Sequence, residues 1–325
     1  MKKKIYLAPM AGVTTLPFRL ICRDHGAKHC FFEMLHSNSV IYDNPGALRI
    51  PATHANDAPI SAQLLGSDPA RMLEAAHRIM AAATVVSLDV NSACPVKKVI
   101  RKGEGAALLA NRPLLGRILK KLSSALPIPV SVKLRTGFKK SDRKECARTA
   151  KICEAHGASV IYIHGRTQAQ GYAGDVDYAS IRAVKEAVAI PVFGSGNVFD
   201  HLLAKKMLDE TGCDGILVAR GAQGNPWIFK DIENFLAEGR SPRQRSLASK
   251  KKALKEHLAL MDALSELAPE HKIGVMGQVA VWYLKGFPNA ARIRGEVFKA
   301  KTYEALIALI DSIREDAIPR PRSER

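Results

Sequence analysis

The stretch Val130–His164, VSVKLRTGFKKSDRKECARTAKICEAHGASVIYIH, decides the fold. Val130–Arg135 and Val160–His164 are short, rich in β-branched residues and mostly apolar, which is typical of parallel strands covered on both faces. Between them, a Ser-Asp pair opens a helical pattern over Asp142–His156, and Gly157 follows as a helix stop. The stretch is therefore predicted to be one strand–helix–strand unit of a parallel sheet.

The same unit recurs along the chain. Eight strands are predicted, at Ile5–Ala8, Cys30–Met34, Pro59–Leu64, Val85–Asn91, Val130–Arg135, Val160–His164, Pro191–Ser195 and Gly215–Ala219. Helical patterns lie between them, including Pro69–Ala82, Glu104–Ser124, Tyr178–Val188 and Phe199–Thr211. Eight alternations in roughly 240 residues predict an α/β fold, a (β/α)8 TIM barrel. A doubly wound open sheet is the alternative, with fewer strands and a clearer nucleotide turn after the first.

The alternation stops at a polar cluster, Gly239–Arg243. Helical patterns follow at 246–266, 270–285 and 302–316, with no strand-like run. We therefore predict a barrel domain over residues 1–238 and a C-terminal helical domain over residues 239–325.

The composition indicates a globular protein with a polyanionic partner. Of 325 residues, 47% are hydrophobic and 25% are charged, which excludes wholesale disorder. The 49 Lys and Arg exceed the 31 Asp and Glu by 18, which favours a nucleic acid over an anionic membrane or a phosphorylated metabolite. Lys97, Lys98 and Arg101 form a basic loop that we expect to contact a phosphodiester backbone.

Targeting, redox and metal signals are weak. The six cysteines form no Cys-x-x-Cys pair and no zinc spacing with His, so we expect reducing cytosol and no metal. Pro9 interrupts the apolar run after the basic start, which argues against a signal peptide. No run approaches the ~18 apolar residues of a membrane span. We expect a cytoplasmic monomer.

Polar or glycine-rich groups follow nearly every predicted strand. In a TIM barrel, functional residues lie at these C-terminal strand ends, and packing alone does not explain unpaired buried polar groups there. The groups are Pro9-Met10-Ala11-Gly12, Gln63, Asn91 with Cys94, Lys133 with Arg135, His164 with Arg166, Ser195-Gly196-Asn197 and Ala219-Arg220-Gly221. The last two groups, after strands seven and eight, occupy the usual phosphate position of such barrels.

Three of these side chains have more than one open role. Lys133 is suited to stabilising a developing negative charge, to forming a Schiff base, or to pairing with a carboxylate such as Glu33. Gln63 offers a donor and an acceptor to the imide edge of a heterocycle, or is a satisfied core amide. Cys94 lies in a basic loop, where a thiol of pKa near ~8.5 is a general acid and a thiolate is a nucleophile.

Seven short motifs at these strand ends occur in a fixed order. They are Ala8–Thr14 (APMAGVT), Asn91-x-x-Cys-Pro95, Val132–Arg135 (VKLR), Ile163–Thr167 (IHGRT), Gly171-Tyr172, Pro191-Val-x-Gly-x-Gly196 and Arg220-Gly-Ala-x-Gly-x-Pro-Trp227. Together they resemble the tRNA-dihydrouridine synthases, and the bacterial B-type branch is the most similar. The match runs from residue 5 to residue 236 and continues more weakly through Trp282–Gly286 (WYLKG).

The resemblance implies an FMN-binding TIM barrel followed by a helical tRNA-binding domain. The implied reaction reduces the 5,6 double bond of specific uridines in tRNA, with NADPH reloading the flavin. Reduced FMN would give hydride to C6, and Cys94 would protonate C5. A uridine inside folded tRNA has to be flipped out, at a cost of a few kcal/mol that contacts between a basic surface and the tRNA backbone can offset.

The residue roles of the family carry over to matching positions. Cofactor contacts are implied for Pro9, Met10, Ala11, Gln63, Lys133, His164, Ser195, Gly196, Asn197, Ala219 and Arg220, and contacts to the substrate uracil for Asn91, Arg135 and Tyr172. The chain departs from the family at Ser92-Ala93, where Met-Gly is expected, at Gln168, where Arg is common, and at Met276–Val279, where a basic run is expected.

Three other functions stay open at this point. An FMN barrel that reduces a small pyrimidine or enone would not need the basic tail. A Schiff-base aldolase would use Lys133. A non-catalytic RNA-binding protein would retain the barrel without using Cys94.

Overall fold

The computed structural model describes residues 3–44, 54–285 and 290–314. Its eight strands, β1 to β8, span Lys4–Leu7, Cys30–His36, Ile60–Leu65, Ser87–Asn91, Val130–Arg135, Val160–His164, Val192–Ser195 and Gly215–Val218. All are parallel, β1 pairs with β8, and the other neighbours follow chain order from β2 to β8. The N–H of Leu7 donates to the carbonyl of His29 at 3.0 Å, which joins β1 to the start of β2. The predicted (β/α)8 barrel is confirmed.

Five of the described helices around the barrel begin where short polar side chains cap them. Helices α1 to α9 span Leu16–Asp24, Ser37–Ile41, Pro69–Ala82, Lys97–Ile100, Arg112–Ala125, Arg143–Ala155, Tyr178–Ala187, His201–Thr211 and Ile228–Glu238. Side-chain oxygens of Asp68, Asn111, Asp142, Asp177 and Asp200 accept first-turn N–H groups of α3, α5, α6, α7 and α8. These caps fix where each helix leaves the loop that follows a strand.

Two helical predictions were wrong at their N-terminal ends. Glu104–Ser124 is not one helix, because a 3-10 helix at Gly105–Ala110 precedes Asn111, which caps α5. The helix predicted from Phe199 begins at His201, because the Asp200 carboxylate accepts the N–H of Leu203 at 2.7 Å. Phe199 is therefore part of the loop after β7.

Aromatic rings fill the barrel interior. Tyr6 stacks on Phe193 with 4.8 Å between ring centroids, and Tyr162 lies 5.2 Å from Phe193 and 5.3 Å from Phe31. Leu217 belongs to the same buried cluster and also lines the cleft at the C-terminal strand ends. The barrel is thus closed below, and ligands have access from the C-terminal end.

Among the described residues, four helices follow the barrel and build a second core. Helices α10 to α13 span Leu247–Leu264, Pro269–Tyr283, Ala290–Val297 and Tyr303–Ser312, and the sequence reading did not name α12. Leu254, Leu258, Ala280, Leu306 and Ile310 are buried among them. Within the described residues, none of the helices is long and apolar enough to cross a membrane.

The second core is docked tightly on the barrel. The ring of Phe18 in α1 lies 5.6 Å from His257 in α10 and 5.7 Å from Trp282 in α11. Gly224, after β8, has a φ of +69°, and a Cβ there would lie 2.2 Å from the Trp282 carbonyl oxygen. The end of α11 is therefore held against the loop after β8.

We expect the substitution Asp57→Ala to lower the free energy of unfolding by about 3–5 kcal/mol, because it removes the buried carboxylate that pairs with both Arg19 and Arg23. Nε of Arg19 and Nε of Arg23 contact the Asp57 carboxylate at 2.8 and 2.9 Å, tying α1 to the segment before β3. Urea denaturation measures the change. The exposed Lys205–Asp209 pair is the control, since Asp209→Ala should cost under about 1 kcal/mol; equal losses in the two variants would contradict the expectation.

Candidate active site

A cleft of about 430 Å³ opens at the C-terminal ends of the strands. It is lined by Pro9, Met10, Ala11, Gln63, Asn91, Cys94, Lys133, Arg135, His164, Tyr172, Ser195, Gly196, Asn197, Ala219 and Arg220. The basic loop residues Lys97, Lys98 and Arg101 do not line this cleft; they are exposed on and after α4. Lys98 instead lines a neighbouring hollow with His36 and Glu104. The predicted strand-end residues thus converge on one cleft. The three basic residues predicted to contact a phosphodiester backbone lie beside this cleft.

A buried hydrogen-bond chain runs beneath the cleft to the Cys94 loop. The fully buried Asp89 carboxylate accepts from Nε2 of Gln63 and from Oγ of Ser131, both at 2.7 Å. Oε1 of Gln63 accepts from Nδ2 of Asn91 at 2.9 Å. Oδ1 of Asn91 in turn accepts the N–H of Cys94 at 2.9 Å. Gln63 therefore has the partners of a core amide, with one N–H and one lone pair left for a ligand.

Lys133 provides positive charge inside the cleft. Burial, followed by the charge of Arg135, lowers the pKa of Lys133 from 10.5 to about 8, and Asp89 opposes that shift. Burial raises the pKa of Asp89 to about 6. The suggested pairing of Lys133 with Glu33 is wrong, because the Glu33 carboxylate accepts the N–H of Gly12 instead. At neutral pH Lys133 is still mostly protonated, so the cleft holds a cation near its floor.

The Cys94 thiol is suited to donating a proton. Burial raises the pKa of Cys94 above its ordinary value, outweighing Arg135 and Lys133, which lower it. The other five cysteines are buried, and Cys94 alone among the six is half-buried. The thiol form therefore predominates at neutral pH, which favours the general-acid role over the nucleophile.

Arg135 fastens the loops on both sides of the thiol. Its Nε donates to the Ala93 carbonyl at 2.7 Å, and its Nη1 donates to the carbonyls of Thr167 and Gly171 at 2.9 and 2.7 Å. Gln168, where the family commonly has Arg, adds a link by donating to the Pro95 carbonyl at 3.1 Å. The loop that carries Cys94 is thus bound to the loop after β6.

The far end of the cleft is strongly electropositive. Burial, and then Lys133, Arg135, Arg166 and Arg220, lower the pKa of His164 to about 2, so its imidazole is neutral. Nδ1 of His164 and Nη1 of Arg166 are buried and have no hydrogen-bond partner in the described residues. Unsatisfied groups of this kind are rare unless a ligand supplies the partner.

The loop after β7 provides a backbone cradle beside these groups. Gly196 and Asn197 have φ values of +126° and +51°, and consecutive residues of unusual φ turn N–H groups toward one concavity. Nη2 of Arg166 donates to Oδ1 of Asn197 at 3.0 Å and holds this turn. The cradle, the neutral His164 and the surrounding cations fit a phosphate, so the residues present fit a planar cofactor with a phosphate tail, such as FMN.

The sequence reading missed two residues of the site. Asp89 anchors the hydrogen-bond chain, and its signal was a carboxylate inside a buried strand. Phe199 lines the cleft and is 39% exposed; the signal was Asp200, whose capping role excludes Phe199 from the helix. In the described part of the chain, no three His, Cys, Asp or Glu side chains group as a metal site.

The sequence was compared with family models and with known proteins. Residues 6–317 match the sequence model of a family described as dihydrouridine synthase. The chain is 36% identical over 308 residues to tRNA-dihydrouridine synthase B of Pseudomonas aeruginosa, covering 94% of this chain and 91% of the relative. It is 36% identical over 286 residues to the Escherichia coli protein of the same name, covering 88% of each.

A solved structure shows a related fold. Histamine dehydrogenase from Rhizobium sp. 4-9 superposes with a TM-score of 0.57 at 13% identity, covering 79% of this chain and 49% of that one. At this identity the likeness concerns the barrel fold alone.

We expect a short pulse of iodoacetamide to alkylate one thiol of the native protein, Cys94, because the other five cysteines are buried. The rate should keep rising as pH passes 9, since burial raises the Cys94 pKa. Mass spectrometry of peptides measures the labelling, and Cys94→Ala should remove it. Rapid labelling that levels off near pH 7 would contradict the raised pKa.

We expect Lys133→Met to be more stable than the parent protein at pH 7, with the difference disappearing as pH rises from about 8 to 10.5. The pKa of Lys133 is lowered in the folded state, so the folded protein binds fewer protons than the unfolded chain within this window, and its stability rises with pH. Thermal melts across the window measure this. The exposed Lys205→Met is the control and should show no such trend; a pH-independent difference for Lys133→Met would contradict the shift.

Proposed function

Because the chain belongs to the dihydrouridine synthase family, and is thus a flavin-dependent oxidoreductase that modifies tRNA, we propose that it reduces the 5,6 double bond of a uridine with bound FMN and with NADPH as reductant. The observation that carries the proposal is the convergence of a protonated thiol, Cys94, and a cation, Lys133, on one cleft. Family membership sets aside the Schiff-base aldolase.

Cys94 is proposed as the proton donor to C5 of the uracil. FMN, when bound, supplies the hydride for C6. The raised pKa of Cys94 keeps the proton on sulfur until negative charge develops at C5 of the uracil. Asn91 holds the N–H groups of Ala93 and Cys94 at 3.0 and 2.9 Å, so the donor loop is already ordered before substrate arrives.

Lys133 and Gln63 are proposed to contact the flavin ring. A protonated Lys133 would favour a flavin ring that carries additional electron density, and the low dielectric of the cleft would strengthen that effect. Gln63, held by Asp89 and Asn91, presents its remaining donor and acceptor to the pyrimidine edge. Pro9, Met10 and Ala11 line the cleft and would pack on the ring.

The electropositive end is proposed to hold the FMN phosphate. Because the pKa of His164 is lowered to about 2, its neutral imidazole would donate a hydrogen bond to the phosphate without changing its protonation state near physiological pH. Gly196 and Asn197 have the φ values of a backbone cradle for the phosphate, and Ser195, Ala219 and Arg220 border the same end of the cleft. These groups together balance a dianion by charge and by hydrogen bonds.

The uracil and the tRNA are proposed to bind above and beside this floor. Asn91, Arg135 and Tyr172 line the cleft on the Cys94 side. Exposed Lys97, Lys98 and Arg101 lie directly after the Cys94 loop, where a phosphodiester backbone entering the cleft would pass. Residues 1–238 are proposed as the catalytic domain, and residues 239–325 as the tRNA-binding domain.

Mapping dihydrouridine in tRNA from a strain lacking the gene tests this function. We expect loss of dihydrouridine at defined positions, restored by the wild-type gene. Cys94→Ala should lower the tRNA reduction rate by roughly 10²–10⁴-fold, the usual contribution of a positioned acid, while NADPH still reduces the flavin. The control is Cys213→Ala, a buried cysteine at the opposite end of the barrel, with near-normal activity expected. Wild-type levels of dihydrouridine with Cys94→Ala would overturn the acid role.

A further inference from the structure

Exposed aromatic rings and cations alternate across the mouth of the cleft. The guanidinium carbon of Arg220 lies 4.9 Å from the ring centroid of Tyr172 and 5.7 Å from that of Phe199. Nζ of Lys285 also lies near this ring, 5.9 Å from the ring centroid of Phe199. Tyr172 is 60% exposed and Phe199 is 39% exposed. The row therefore leads from the uracil end of the cleft toward the C-terminal helices.

The two cations of this row are available to an anion. Arg220 and Lys285 are both exposed, and in the described part of the chain no carboxylate lies within 4.0 Å of either. Lys285 follows α11 directly, and the contact of Gly224 with the Trp282 carbonyl oxygen holds the end of that helix against the barrel. The ammonium group of Lys285, which comes after α11 in the chain, therefore lies beside a ring of the barrel domain.

Helix packing does not explain the position of Phe199, because the Asp200 cap excludes it from α8. Its phenyl ring instead lines the ligand cleft and is partly exposed. Aromatic rings between basic side chains are how proteins hold splayed nucleotides, since every base has a flat face and every nucleotide carries a phosphate. When the target base is flipped into the cleft, the adjacent base loses a stacking partner. A surface near the cleft that stacks on this adjacent base would replace the lost contact.

We propose that Phe199 stacks on the base of a nucleotide next to the target uridine in tRNA, while Lys285 contacts a phosphate of the same strand. This inference rests on the proposed function. It adds a second nucleotide subsite, formed jointly by the loop after β7 and the end of α11, beyond the pocket for the reacting uracil. Arg220 contacts the rings of both Tyr172 and Phe199, and so links this subsite to the uracil end of the cleft.

Steady-state kinetics of the holoenzyme with an unmodified tRNA transcript test the subsite. Base stacking on an aromatic ring is lost in Phe199→Ala and in Phe199→Leu, so both should raise KM for tRNA roughly 5–100-fold, and KM for NADPH should not follow. Phe199→Trp keeps a flat ring and should stay within about threefold of the wild type. The distal control is Val86→Ala, an exposed apolar residue before β4 at the opposite end of the barrel.

The Lys285 contact has its own readout. Lys285→Gln should reduce the slope of log KM for tRNA against log salt concentration by about 0.7–0.9, the value for one phosphate contact. An unchanged slope would remove Lys285 from the subsite.

The failures are distinguishable. Wild-type enzyme that forms no dihydrouridine in any tRNA would overturn the proposed function itself. Active wild-type enzyme with an unchanged KM for tRNA in Phe199→Ala would overturn the subsite alone. A rise in KM for NADPH instead of tRNA would assign Phe199 to the reductant and equally overturn it.

Discussion

The site depends on one buried carboxylate. Asp89 has no exposure to solvent, and burial works against its charge, yet it holds Gln63 and Ser131 by hydrogen bonds. Through Gln63 and Asn91 its influence reaches the backbone of the Cys94 loop. The backbone of the Cys94 loop is thus held from the floor of the barrel as well as by Arg135. Such positioning limits the rearrangement needed at the moment of reaction.

The charges in the cleft are divided by depth. Lys133, with a pKa of about 8, lies in the centre. His164, kept neutral by burial and then by four nearby cations, lies toward the electropositive end. Arg135 uses three of its hydrogen bonds on backbone carbonyls and so acts mainly on loop geometry. A cation in the centre suits a ring that gains electrons, and a cation-rich end suits a permanently charged anchor.

Much of this arrangement could be read from the sequence. Strand ends in a parallel barrel meet at one rim, so polar residues that follow successive strands are brought together whatever the loops do, as Gln63, Asn91 and Lys133 show. The helix boundaries were less accessible. Asn111 and Asp200 are the N-caps of α5 and α8. The apolar periodicity alone predicted an earlier start for both helices, because it extends past the capping residue.

What sequence could not supply was contact between distant parts of the chain. Phe199 and Lys285 are separated by more than eighty residues and by a change of core, and no local pattern relates them. The same holds for Gln168, whose amide reaches Pro95, and for Asp89, whose role depends on side chains of two neighbouring strands. Ser92 has a buried hydroxyl without a hydrogen-bond partner in the described residues, and nothing in the structure explains it.

The packing of Phe18 against His257 and Trp282 has an evolutionary corollary. A barrel truncated after α9 would expose the Phe18 ring and the surface under α10 to solvent. An exposed apolar patch of this kind favours aggregation. Any helical segment that replaced α10 and α11 would therefore have to cover Phe18 as His257 and Trp282 do.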